Sequence, residues 1–281
     1  PESLLKDYEN DDRTCLHVAA KDKNFEMIGI LFEKPSDEEK LRLLTIQAKY
    51  ADTRSKVSWL CMWNGGVTWA IELAKSATHE ALETEIYEEA LAYTCQDDDA
   101  EALQLLLSAV TSDILMSLLS TVEIGVMRRS CIQSAAWLGN SPFISIILLH
   151  FPSDSVPPLL LEQCEGDGGR TALHIACEGN ELSVVKTVID QVPIENRFRL
   201  IIATDDGGNT VLHAAVASGN KSFVLALKMD QLTGEQRYAI MVKENKDRLR
   251  AIDLAKEQKN KQLESFLDDL LQQSSIRKYN E

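Results

Sequence analysis

A short pattern returns along this chain at a spacing near forty residues, and that period restricts the folds open to it. Thr171-Ala172-Leu173-His174-Ile175-Ala176-Cys177 recurs as Thr210-Val211-Leu212-His213-Ala214-Ala215-Val216 and, near the start, as Thr14-Cys15-Leu16-His17-Val18-Ala19-Ala20. Weaker copies are Ser130-Cys131-Ile132-Gln133-Ser134-Ala135-Ala136 and Arg250-Ala251-Ile252-Asp253-Leu254-Ala255. From Ser130 onward the copies begin 41, 39 and 40 residues apart. A fixed period of this size marks a stack of similar units, because one helical hairpin cannot bury its own apolar face and must lay it against a neighbour.

Each copy carries its own instructions. Leu212, Ala215 and Val216 fall on one face of a helix, and the alanines let a second helix approach closely. Gly219-Asn220 ends that helix, glycine entering the left-handed region at little steric cost. A second apolar helix follows each time, over 25–32, 143–149, 182–189 and 223–227. A further apolar stretch (158–161, 196–202, 236–241) stands before the next copy, with Leu161, Leu200, Ile240 and Leu4 each ten residues ahead of the Thr position. Thr233 with Gln236 and Ser36 with Glu39 read as capping boxes that start such helices. Each unit therefore has three helices, the third short.

These residues resemble the ankyrin family, whose repeats open on Thr-Pro-Leu-His-x-Ala-Ala-x-x-Gly-His. Gly169 and Gly208 precede Thr171 and Thr210 by two residues, as the family's turn does. The resemblance covers 1–35 and 129–265 well and the residues between poorly. It implies an all-α helical solenoid of six or seven hairpin units with short β-turn fingers, acting as a protein–protein interaction module. The period is nearer forty than the usual thirty-three or so, similar to the lengthened repeats of some ankyrin-bearing effectors of intracellular bacteria. That further likeness implies a cytoplasmic protein, acting in the host-cell cytosol after secretion.

The expected organisation is one solenoid over 1–281, with a first repeat at 1–39, irregular repeats with an insertion at 40–128, regular repeats at 129–250, and a last repeat and cap at 251–281. In the irregular part, Ile71-Glu72-Leu73-Ala74-Lys75 matches Ile252-Asp253-Leu254-Ala255-Lys256 but lies 55 residues after Leu16, so something is inserted before it. Leu91 and Thr94-Cys95 align with Ile132 and Ala135-Ala136, yet Leu91 follows Ile71 by only 20 residues. One turn and finger has been lost or remodelled there.

Charge and cysteine narrow the partners. With 29 Lys plus Arg against 44 Asp plus Glu, the net charge of −15 repels nucleic acid and anionic lipid at long range. No apolar run approaches the roughly 18 residues of a membrane span. Six cysteines without a CxxC pair read as reduced, buried thiols. Pro1 in first place, with no leader after it, reads as a fragment with unseen flanks. A monomer is expected, with no metal and no cofactor.

Catalytic chemistry finds little support. His17, His174 and His213 repeat at one position, but successive layers stand about 10 Å apart, too far to share one ion. The ankyrin resemblance implies that they hydrogen-bond backbone in the adjoining turn, and Gln133 and Asp253 can do the same. The alternative reading is a cysteine-dependent, hydrolase-like pocket built by 40–100, with Cys61 or Cys95 beside His79 and the repeats recruiting substrate. No oxyanion loop surrounds either cysteine.

Binding is better supported. Residues 76–127 hold eleven acidic residues and no Lys or Arg, which suits a partner with a basic patch. In the ankyrin architecture the positions five and six after the Leu line the concave face: Lys21 and Asp22, Gln96 and Asp97, Trp137 and Leu138, Glu178, Ala217 and Ser218, then Glu257 and Gln258. Trp137 stands out, either as an interface anchor or packed on the insertion holding Trp59, Trp63 and Trp69. Asp98 and Asp99 extend the acidic border. Finger tips add Arg170, Asp205 and Asp206, with Asp167 and Asp247 as further exposed tips.

Overall fold

The apolar stripes of the repeat become short helices laid side by side. The computed structural model describes residues 15–45, 47–50, 53–56, 66–76, 80–97, 99–121, 123–124, 129–151 and 156–278. Leu4, Thr14, Trp59, Cys61, Trp63, His79 and Asp98 lie outside them. The chain divides into two compact units, residues 1–118 and 119–281.

In the first unit, α1 (Cys15–Lys21), α2 (Phe25–Phe32) and α3 (Asp37–Thr45) follow the expected three-helix order. Asn24 accepts a hydrogen bond from Met27 N at 3.0 Å and starts α2. The Ser36 box starts α3, with Ser36 N donating to Glu39 Oε2 at 3.0 Å and Glu39 N to Ser36 Oγ at 3.3 Å. The insertion contains an antiparallel hairpin, β1 (Gln47–Tyr50) with β2 (Thr53–Lys56), so the all-α expectation has an exception here. Next come α4 (Val67–Ser76), α5 (Glu80–Asp97), α6 (Ala100–Ala109) and α7 (Ser112–Thr121). The remodelled copy is the long helix α5, which packs on α3, α4 and α6. Trp69 stacks on Phe25 at 6.3 Å and leans on Phe32 at 6.0 Å.

The second unit begins with the short pair β3 (Glu123–Ile124) and β4 (Arg129–Ser130). Three rows of helices follow. The first row is α8 (Cys131–Leu138), α11 (Ala172–Glu178), α14 (Val211–Ala217) and α17 (Ala251–Glu257); the second is α9 (Ser141–His150), α12 (Leu182–Gln191) and α15 (Lys221–Ala226); the third is α10 (Val156–Leu161), α13 (Ile194–Ile202) and α16 (Gly234–Val242). Members of each row pack on the next member, and α18 (Lys261–Lys278) closes the stack against α16 and α17. Ile132, Leu173, Leu212 and Ile252 are buried in successive layers, as the period requires.

The third helix is the shortest in the Ser130 copy, where α10 has six residues, but not in the two copies that follow. α13 and α16 have nine residues each against seven in α11 and α14. Both carry a buried arginine, Arg197 and Arg237, that ties down the turn before it. Arg197 Nε donates to Val192 O at 3.1 Å and Nη1 to Gln231 Oε1. Arg237 Nε donates to Met229 O at 3.0 Å, and Nη2 to Asp230 O and Leu232 O, each at 3.2 Å. Turn carbonyls facing the core are thereby satisfied, which buried backbone demands.

Left-handed backbone recurs with the repeat, at Lys23, Gly139, Asn180, Gly219 and Lys259. In the copy at Thr171 it is therefore Asn180, not Gly179, that turns the chain. Where glycine takes this place, the next residue starts the second helix: Asn140 accepts from Phe143 N and Asn220 from Ser222 N, both at 2.9 Å. Gly219 has φ of 71° and open space around a would-be Cβ, so a methyl there meets only backbone strain. Gly219→Ala should cost about 1 kcal/mol, read from the urea midpoint at unchanged slope.

Candidate binding groove

In two copies the fourth residue, a histidine, ties its helix to the finger of the next. Thr171 Oγ1 meets His174 Nδ1 at 2.8 Å, Thr171 N donates to the same nitrogen at 3.4 Å, and His174 Nε2 meets Asn209 O at 2.9 Å. The next copy repeats this with Thr210 Oγ1 and N at 2.8 and 3.1 Å from His213 Nδ1, and His213 Nε2 at 3.0 Å from Leu249 O. A carbonyl only accepts, so each ring carries a proton on Nε2, and because Nδ1 accepts the backbone N–H of Thr171 or Thr210 each ring is neutral. Burial holds both imidazoles below the usual histidine range. Gln133 Nε2 reaches Glu162 O at 2.9 Å in the earlier copy. In the last copy Arg250 clasps Asp253 through two nitrogens, at 2.9 and 3.1 Å, and its hydrogen bond holds that carboxyl below its usual range.

Fingers also stack directly. Asp206 N donates to Gly168 O and Lys246 N to Gly207 O, each at 2.9 Å. Gly208 has φ of 75°, and a Cβ on it would stand 3.1 Å from Lys246 N, so the close approach of neighbouring fingers requires glycine.

Fingers and first-row helices enclose a groove of about 500 Å³. Its helix wall includes Glu178, Ala217 and Glu257, the last residues of α11, α14 and α17. Its finger wall includes Arg170, Asp205 and Asp247, and Ala214, Leu249 and Leu254 supply apolar surface. The groove lining thus holds four carboxylates, Glu178, Asp205, Asp247 and Glu257, to one guanidinium, with two neutral histidines. Asp205 is partly engaged, accepting from Asn209 N at 2.8 Å.

One end of the groove is held by a charged relay. Asp167, expected as an exposed tip, is buried and ion-paired on both sides: Arg129 Nη2 at 2.7 Å and Arg170 Nη1 at 2.7 Å. Arg170 Nη1 also lies 3.2 Å from Glu178 Oε2. Arg129 sits 4.5 Å from the centroid of Trp137, a cation–π contact. Trp137 and Leu138 remain 43% and 52% exposed.

Arg170, Glu178, Asp205 and Ala217 are therefore brought together in one groove. Asp206 packs its carboxylate over Gly169 beside it. Lys21, Asp22 and Gln96 are exposed in the first unit. Asp97 ends α5, and Asp99 caps α6 by accepting from Ala102 N at 2.9 Å. Sequence reasoning missed Arg129 and the burial of Asp167. A signal existed: Arg129 and Arg170 each stand one residue before a copy's opening residue, and both converge on Asp167.

Three of the described thiols are held protonated by burial. Burial pushes Cys177 up to about 12 and raises Cys15 and Cys164. Cys95 is buried, while Cys61 and His79 of the alternative pocket lie outside the described residues. Among the described residues no group of three or more His, Cys, Asp or Glu could hold a metal ion, and no helix is long and apolar enough to cross a membrane.

Residues 135–235 match the family model for ankyrin repeats, in three copies. This supports an ankyrin-repeat protein. No curated protein matches the chain. The matched span contains the caps at Thr171 and Thr210 and the groove residues Arg170, Glu178, Asp205 and Ala217. Ankyrin repeats are generally protein–protein interaction modules, and the family is typically non-enzymatic.

The neutral imidazoles make stability pH-dependent. An unfolded histidine takes up a proton near pH 6.5, whereas the folded ring, held lower, does not. Their contribution is full above about 6.5 and is lost as pH falls below it. His213→Gln, which installs the side chain working at Gln133, should keep stability at pH 7.5 within about 1 kcal/mol and flatten the fall between pH 7 and 5.5. Urea titrations at four pH values measure both.

Proposed function

We propose that this chain is a non-catalytic interaction module that binds a partner protein bearing a basic patch through the groove of its second unit. The observation carrying this reading is the wall charge, four carboxylates to one guanidinium beside apolar surface at Ala214, Leu249 and Leu254. Complementary charge steers encounter, while apolar contact slows escape. The rigid stack also spares the binder much ordering entropy. Exposed Trp137 and Leu138 extend the contact surface beyond the groove. The forty-residue period supports extending the reading to a bacterial effector working in host cytosol as a monomer.

Titration with two capped ten-residue peptides, one rich in Arg and Leu and one with Glu in place of each Arg, tests the reading. The basic peptide should bind and the acidic one should not. Asp247→Asn with Glu257→Gln should weaken binding about tenfold at low salt and far less at high salt. Equal binding of both peptides, or indifference to the two substitutions, would contradict it. With an identified partner, Trp137→Ala should speed dissociation roughly thirtyfold, the worth of about 2 kcal/mol at an aromatic anchor.

A further inference from the structure

The groove's two ends differ in charge. At the α17 end, Asp247 and Glu257 face the groove, and among the described residues neither has an ion-pair partner. At the α11 end the corresponding carboxylate, Glu178, already holds a guanidinium, since Arg170 Nη1 lies 3.2 Å from its Oε2. Between them the helix wall has Ala217, with Ala214 and Leu254 nearby. The groove therefore reads as acid, then apolar, then an acid that is already occupied.

Resting on the binding role proposed above, we infer that Arg170 stands in the unliganded groove where a partner's guanidinium would otherwise sit, so that the groove takes an extended segment with one cationic side chain, at the Asp247–Glu257 end, followed by an aliphatic one. Three features support this. Arg170 is anchored from behind by buried Asp167 at 2.7 Å, which fixes its reach. Its bond to Glu178 is longer than that anchor, and both side chains are partly exposed, 34% and 46%, so the contact is open to competition. Asp167 keeps Arg129, through Nε at 2.8 Å and Nη2 at 2.7 Å, when Arg170 is removed. Removing Arg170 therefore leaves the buried carboxylate paired.

Spacing makes the inference testable. Glu178 and Glu257 lie two helix layers apart, about 20 Å at some 10 Å per layer. An extended chain covers that distance in about six residues. Two capped peptides serve as probes: one with a single Arg and a Leu two positions on, the other with a second Arg six positions from the first. Wild type should bind the two within about twofold, because its second acid is occupied. Arg170→Gln should tighten the two-Arg peptide about fivefold, the scale of an exposed ion pair, and change the one-Arg peptide less than twofold. That gain should vanish in the Arg170→Gln, Glu178→Gln double variant, and thermal melts of all variants should overlay.

A wild type that already prefers the two-Arg peptide fivefold would overturn the inference. So would an Arg170→Gln variant that tightens both peptides equally, which is only a change in overall charge, or that weakens either. If wild type binds neither peptide, the groove reading itself falls and takes this inference with it.

Discussion

The second unit depends on a polar side chain placed to hydrogen-bond at the start of each first-row helix, a buried neutral imidazole in two of the four. A stack of short helices could slide, since apolar faces alone specify layers but not their register. His174 and His213 remove that freedom. Each satisfies the orphan donors of its own helix start through Nδ1 and spends Nε2 on a carbonyl of the next finger. Gln133 reaches the adjoining segment by an amide, and Arg250 with Asp253 closes the last helix start by an ion pair. The chemistry varies while the geometry is kept, because what the position must supply is a hydrogen bond at a fixed place.

That register places function. With fingers fixed on helices, the ends of α11, α14 and α17 and the finger loops face one another, and whatever residues stand there become the walls of a groove. Nothing in the stacking requires Glu178, Asp247 or Glu257 to be acidic. The charge of Asp247 and Glu257 is free to serve binding, while that of Glu178 is met by Arg170 and that of Asp167 is consumed between two arginines. The distinction between paired and unpaired carboxylates matters more here than the net charge of the chain.

Much of this was readable in the residues. The period, the capping boxes at Ser36 and Thr233, the stacked Leu positions and the structural role of the histidines all rest on local rules that act within a few residues. Four of the candidate binding residues share the groove because they follow the same period. What escaped the sequence depends on meetings at long range. Asp167 looks like a surface tip, and only folding brings Arg129 to it from 38 positions away. The β1–β2 hairpin sits where the repeat is interrupted, so no period could announce it. α13 and α16 looked short because their first residues, Ile194-Glu195 and Gly234-Glu235, lie outside the apolar-periodic stretches that marked them.

The central claim, that neutral imidazoles pin each finger to the preceding helix, is tested most directly by following the ring nitrogens of His174 and His213 by NMR between pH 7.5 and 5. The account predicts shifts of Nε2-protonated neutral rings, with any protonation displaced below the ordinary histidine value for as long as the chain stays folded. Rings that titrate near the ordinary value of about 6.5 in the folded protein would contradict it.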